Sequence, residues 1–244
     1  MTDVGVFIMS HRQTVSAQRL AEAFRPLVPT WLVDMGSPLT EDERAAFDRV
    51  LPNLYYVGAL MEGLRWFDTP GRSRDDVLLV ITGDVSVPDA AALVADVRQA
   101  MSNPRVGVYA PACRSGVRSM RHHPGANLRT VPFVEGYCFA ARFHLLADLP
   151  LEPEVNRIGW GIDVYLGFLA LRCGLVSVVD HRRPVDHPIR TGYAKRDARD
   201  QMNAWLARRS WPGRLFRFVT KLPFAHHPLA ASTIVRLPWR GLGR

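Results

Sequence analysis

The chain has 244 residues, 48% of them hydrophobic and 22% charged, with a formal net charge of +8 at pH 7. That length can bury one sizeable core, alone or with an extension, and the composition is that of an ordinary globular protein. No apolar run approaches the roughly 18 residues of a membrane span, and Cys113, Cys138 and Cys173 lie too far apart for a CxxC zinc site or a disulfide framework. An apolar segment starts within the first few residues, without a signal-peptide pattern, so a reducing, cytoplasmic setting is expected.

Residues 4–9 (Val-Gly-Val-Phe-Ile-Met) read as a first strand, apolar on both sides and ended by Ser10-His11-Arg12. A helix over 16–24 follows, with Leu20, Ala21, Ala23 and Phe24 on its buried side. Trp31-Leu32-Val33-Asp34 is a second strand ending in an acid, followed by Met35-Gly36-Ser37-Pro38. Thr40-Glu41-Asp42-Glu43 has the form of a capping box. A third strand is predicted over 53–58 and a helix over 59–67. Residues 77–82 are apolar or β-branched throughout, as in a strand buried inside a parallel sheet; Gly83-Asp84 ends the run. Pro88 then opens a helix marked by Ala91, Leu93, Val94, Val97 and Met101, and 106–109 is a further strand.

This alternation of strand and helix predicts βαβ units and an α/β fold. Its strand ends bring His11-Arg12, Asp34 and Asp84 to one crevice, where open α/β sheets bind ligands. Two acids at strand ends suit a nucleotide: one takes hydrogen bonds from base or ribose, the other holds a divalent cation on the phosphates. Neither GxGxxG nor GxxxxGK[ST] occurs, which disfavours a dinucleotide fold or a P-loop NTPase.

Periodicity is lost over 111–132, where Arg114, Arg118, Arg121, His122 and His123 read as a cationic loop, either solvated or serving as a lid or acceptor segment. Residues 131–142 then read as a strand broken by Gly136, which would let a ligand approach the backbone, and lead to a short helix over 143–146. Ile162, Leu166, Leu169 and Cys173 follow helical spacing, with Gly174 as the stop. Asp163 falls in the first turn of that helix, after the flexible Gly159-Trp160-Gly161, where a helix-start acid can serve as a general base or simply complement the helix dipole. A last strand over 175–180 leads to His181 and to His187 in Pro184-Val185-Asp186-His187-Pro188.

Beyond Tyr193 a helix is predicted over 195–209, with Met202, Trp205 and Leu206 apolar among charges. Residues 210–244 interleave Trp211, Phe216, Phe218, Phe224 and Trp239 with Arg214, Arg217, Lys221, Arg236 and Arg240. The pattern fits an anionic membrane surface, or a tail packed on the domain; no nucleic-acid motif accompanies it. A domain over 1–193 and a basic helical extension over 194–244 are expected, and the oligomeric state is open.

The succession SHR, VDMGS, VLLVITGDVSVP, VEGYCFAAR, GWGID and VDHP, over residues 3–190, resembles the GT-A glycosyltransferases, in particular the family 2-like group. The resemblance implies a Rossmann-like nucleotide-binding half with a mixed sheet, and transfer of a sugar from a nucleotide-diphosphate sugar to a saccharide or lipid-linked acceptor hydroxyl. It implies an inverting enzyme of cell-surface polysaccharide or glycolipid synthesis, peripheral on the inner face of the cell membrane. The family's base-contacting acid falls on Asp34, and its DxD motif falls on Thr82-Gly83-Asp84, of which only the last acid remains. The catalytic base falls on Asp163, and the metal ligands for Mn²⁺ or Mg²⁺ fall on Asp84 and His187, with His181 the lesser candidate. Ser10, Arg12, Asp34, Asp84, Gly136 and Trp160 are the expected donor site. The missing first acid keeps a second expectation open: a GT-A-like binding or scaffold protein without catalysis.

Overall fold

The structure is a computed structural model and describes residues 3–116, 120–188, 193–209 and 228–229. Its strands are β1 (Val4–Ser10), β2 (Thr30–Met35), β3 (Arg49–Leu51), β4 (Val77–Thr82), β5 (Val106–Cys113), β6 (Leu128–Val131), β7 (Cys138–Arg142), β8 (Val176–Val185) and β9 (Pro228–Leu229). Its helices are α1 (Thr14–Phe24), α2 (Glu41–Ala45), α3 (Tyr55–Phe67), α4 (Ala90–Met101), α5 (Phe143–Ala147), α6 (Ile162–Arg172) and α7 (Lys195–Ala207). One sheet holds these strands in the order β3-β2-β1-β4-β7-β5-β8-β6-β9.

Strands β1 to β4 run parallel to one another, and every residue of β1 is buried, as its continuous apolar run requires. Helices α1 and α4 pack together on one face of the sheet, and α3 packs on β1 and β2 from the other. There Trp31 stacks on Trp66 at 5.5 Å between centroids, and Phe67 meets Phe143 at 5.4 Å. Strand β7 breaks the parallel pattern: it runs antiparallel between β4 and β5. That insertion brings Tyr137 to the carboxyl end of β4, where its carbonyl accepts from the Thr82 N–H at 2.8 Å.

Several boundaries differ from the sequence reading. The strand predicted over 53–58 is the start of α3, and the third strand is the short segment before it. The Asn53 side chain accepts from Tyr55 N at 2.9 Å, turning the chain into a helix whose buried positions include Val57, Leu60 and Phe67. Pro88 precedes α4 rather than opening it, because Asp89 is the cap and accepts from Ala92 N at 2.9 Å. Strand β5 continues through Pro111 to Cys113, and the expected loop contains β6, held antiparallel to β8. The capping box at Thr40 and Glu43 forms as read, and Gly174 takes the positive φ (+73°) that ends α6.

Strand β8 outruns its prediction, reaching Val185 by pairing with Cys113. The predicted C-terminal helix is present as α7, and Met202, Trp205 and Leu206 join the common core. Trp205 is fully buried and donates from Nε1 to the Pro150 carbonyl at 3.0 Å. Arg118 and residues 210–227 and 230–244, on which the lid and membrane readings partly rest, lie outside the described residues.

Candidate active site

At the carboxyl end of β4 the chain turns through Gly83 and leaves Asp84 beside His187. Asp84 Oδ2 lies 3.3 Å from His187 Nε2, and Thr82 Oγ1 donates to Asp84 Oδ1 at 2.7 Å. The histidine reaches this place because residues 186–187 come back along the loop after β4: Ser86 and Asp186 exchange backbone hydrogen bonds at 2.8 and 3.1 Å. The Tyr137 ring lies flat on the His187 imidazole, 4.3 Å between centroids and 7° from parallel. Ser115 donates its hydroxyl to the His187 carbonyl. Burial acts to raise the Asp84 pKa, but His187 and the Thr82 hydroxyl outweigh it and hold the group below its ordinary value.

Asp163 stands at the start of α6, behind Gly159 and Gly161, whose φ values of +87° and +86° make the tight turn. Its carboxylate accepts from Val164 N at 2.8 Å, and the nearby backbone of Gly161 and Gly136 also acts to lower its pKa. Burial nonetheless dominates and lifts its pKa to about 6. The opposite side of Gly136 is taken by Tyr56, whose hydroxyl donates to the Gly136 carbonyl at 2.8 Å. A Cβ on Gly136 would stand 2.7 Å from that hydroxyl, so the absence of a side chain there makes room for Tyr56.

One short segment therefore joins the two acids. The Gly136 backbone lies near enough to Asp163 to act on its pKa, and Tyr137 backs the partner of Asp84. Glu135, the residue before them, feels both ends: burial and then Asp163 raise its pKa to about 7, while His187 lowers it. Sequence reasoning passed over Glu135; its only signal was an acid inside an otherwise apolar stretch.

The other expected donor residues are distributed around this centre. Asp34 is fully buried, and its two oxygens accept from Ser37 N at 2.7 Å and Ser37 Oγ at 2.5 Å. It pairs in register with Ser10, two strands from the line of Asp84, or about 10 Å at ordinary strand spacing. Ser10 is buried and its hydroxyl finds no partner among the described residues. Arg12 takes a left-handed φ of 58°, pinned by its N–H on Ser37 Oγ at 2.6 Å. With Arg19, Ser16, Asp84, Ser86 and Val87 it lines a cleft of about 690 Å³ between the starts of α1 and α4. Trp160 donates from Nε1 to the Tyr193 hydroxyl at 2.8 Å, beside Asp163 in sequence. His181 lies elsewhere: it is inside β8, buried, and accepts at Nδ1 from His123 N at 3.2 Å. Burial, then Arg129 and His123, lower its pKa to about 4.

The Asp84–His187 pair suits a hard divalent cation. Two neighbouring ligands on an octahedral ion at about 2.1 Å stand roughly 3.0 Å apart, close to the 3.3 Å between Oδ2 and Nε2. Among the described residues no group of three or more His, Cys, Asp or Glu side chains converges, so phosphate oxygens and water would complete the shell.

No family model and no curated protein matches the sequence. Solved structures do match. The crystal structure of GalNAc-T7 with UDP, GalNAc and Mn²⁺ superposes with a TM-score of 0.57 at 16% identity, over 79% of this chain and 45% of that one, so the present chain spans under half of that protein. A mycobacterial protein aligns with a TM-score of 0.58 at 18% identity, over 85% of this chain and 74% of its own. Glucosyl-3-phosphoglycerate synthase from Mycobacterium tuberculosis, crystallised with Mn²⁺, UDP and glucosyl-3-phosphoglycerate, aligns with a TM-score of 0.57 at 17% identity, over 85% and 80%. With the mixed sheet and the strand order above, these alignments establish that the chain has the GT-A glycosyltransferase fold.

Proposed function

We propose that the chain transfers a sugar from a nucleotide-diphosphate sugar to an acceptor hydroxyl, with inversion. One observation carries this reading. Asp84 and Asp163, distant in sequence, stand near the two ends of the short Glu135-Gly136-Tyr137 segment, one held below its ordinary pKa and the other raised to about 6. The same fold holds UDP with Mn²⁺ or Mg²⁺ in the synthase structures, and Asp84 with His187 offers a cation two ligands here.

In this mechanism the Asp163 carboxylate accepts the proton of the acceptor hydroxyl as that oxygen attacks the anomeric carbon from the side away from the nucleotide. The Val164 N–H holds the carboxylate, and Tyr56 holds the neighbouring Gly136 carbonyl. Asp84 and His187 bind the diphosphate end, with the Thr82 hydroxyl and the Tyr137 ring setting their directions. A bound Mg²⁺ or Mn²⁺ supplies neutralisation of the charge that develops on the departing diphosphate. Asp34, buried with both oxygens on Ser37, fixes the turn on which the Arg12 N–H rests, and so acts on a nucleotide in the adjoining cleft through Arg12 and not by touching the base itself. Helix α7 packs into the common core, so it is residues 210–244, with aromatics interleaved among cations, that meet an anionic membrane surface, which flotation with anionic against neutral vesicles would test.

The test is a thermal-shift panel of nucleoside diphosphates and their sugars with and without Mn²⁺, followed by measurement of released nucleoside diphosphate. Stabilisation with turnover supports transfer. Stabilisation with no turnover against any acceptor or water supports the second reading, a binding protein, which Thr82 in place of the first DxD acid favours. No stabilisation by any nucleotide overturns both.

A further inference from the structure

We propose that Asn156 is a positioning residue for the proton-accepting end of the site: its side-chain amide sets the turn that delivers Asp163. The inference rests on the transfer reading, in which Asp163 is the base, and deepens it. Asn156 is fully buried, and a buried amide needs partners for both its ends. It finds them in the chain just ahead of α6. Its Oδ1 accepts from the Gly159 N–H at 3.1 Å, and its Nδ2 donates to the Trp160 carbonyl at 2.9 Å. Only one assignment of the amide satisfies both bonds, since the reverse would set oxygen against a carbonyl and NH₂ against an N–H. The Gly161 carbonyl then accepts from Tyr165 N at 2.9 Å in the first turn of α6, where Val164 N donates to Asp163.

The turn needs such a clamp. Gly159 and Gly161 both take positive φ, and without a Cβ each has a broad range of other conformations open to it. Neighbouring elements secure the approach: Val57 N donates to the Arg157 carbonyl at 3.1 Å, and Ile158 N donates to Gln201 Oε1 at 3.3 Å. The Tyr56 ring closes on Gly159, where a Cβ would stand 2.5 Å from its Cδ1. These contacts limit where the turn lies, and the two amide bonds of Asn156 orient its peptide planes. The direction of Asp163 follows, because it stands two residues beyond Gly161. A reacting group misplaced by about 1 Å costs on the order of a hundredfold in rate. The diphosphate end, built on β4 and the chain after β8, does not touch Asn156 and is left alone.

The test uses the full chain with Mn²⁺. Calorimetry gives its affinity for UDP, GDP, dTDP and ADP, and release of the diphosphate from the glucose ester of each gives turnover across the pH range. In Asn156→Ala, kcat with the preferred ester should fall about a hundredfold while diphosphate affinity stays within twofold. The acid limb of kcat/KM should move from about 6 towards the ordinary aspartate value of about 4, as water reaches a loosened Asp163. Asn156→Ser, whose hydroxyl can take the Gly159 N–H but not reach the Trp160 carbonyl, should recover part of the turnover. Should the alanine variant not fold, the serine variant makes the same comparison with the native chain. Native turnover in a folded alanine variant, a loss shared equally by diphosphate affinity, or an acid limb that stays at about 6 would overturn the role. If no nucleotide binds the native chain, or Asp163→Asn turns over normally, the transfer reading itself fails; a native chain that binds and turns over, with Asn156→Ala its equal, sinks only the role of Asn156.

Discussion

Asp84 and Asp163 are both aspartates at the mouth of one sheet, and the fold treats them in opposite ways. Asp84 follows a buried strand and is met by a histidine and a hydroxyl, so burial does not prevent it from staying ionised. Asp163 begins a helix, is offered only backbone N–H groups, and is pushed up to about 6. Environment, not residue type, sets the two acids apart, and the proposed transfer needs that difference: one acid to hold the diphosphate end and one to take a proton. The two ends also differ in construction: the Asp84 end is built on strands, the Asp163 end on glycines, turns and α7.

The sharpest way to break this comparison is to neutralise one acid at a time. Asp163→Asn should cut turnover by about 10³-fold while nucleotide affinity stays within twofold, because it removes the base and leaves the diphosphate end alone. Asp84→Ala should do the reverse to binding, lowering Mn²⁺-dependent nucleotide affinity on the order of a hundredfold by calorimetry. If both variants lose the same property, the division of labour is wrong. Thr82→Val tests the orienting hydroxyl: Mn²⁺ affinity in the presence of UDP should fall about tenfold, with Thr82→Ser restoring it.

Acidity offers a milder contrast. Turnover requires Asp163 deprotonated, so kcat/KM should rise with pH through about 6 and then level. Its folded pKa is raised, so between about 4 and 6 the native state holds a proton that the unfolded chain has lost. The contribution of Asp163 to stability is therefore lost as pH rises through that window. Asp163→Asn should melt higher than the native chain at pH 7.5 and show no such gain at pH 4; an equal or lower melting point at pH 7.5 would contradict its burial as a charge. Smallest of all, Arg114→Ala, which removes an exposed ion pair with Asp186, should change stability by under about 1 kcal/mol in urea titration.

The same division governs how much could be read from sequence. Elements with a buried periodic face were legible: β1, β4, α1 and α6 announce themselves through runs such as 77–82 and the spacing of Ile162, Leu166 and Leu169. The strand-end position of Asp84 and the helix-start position of Asp163 followed from those patterns. What could not be read depends on partners distant in sequence. Strand β6 is polar and half-buried, and exists because β8 pairs with it. Whether His181 or His187 reaches the site turns on where β8 ends, which Cys113 decides through Val185. Glu135 has no periodic context; its place is fixed by Tyr56 and His187, both far along the chain. Tyr55 and Tyr56 favour strands by composition, yet they open a helix because a local asparagine turn outweighs that weak preference.

Helix α7 leaves Met202 against Gly161, where a Cβ would stand 3.0 Å from its Cγ, and seats Trp205 beneath the same turn. During synthesis, the strands that carry Asp84 and lead to His187 leave the ribosome before this brace, and β9 joins their sheet only after it. A chain ending near residue 190 would lack the Met202 and Trp205 contacts that steady the Gly161 turn ahead of Asp163, and with them part of the common core.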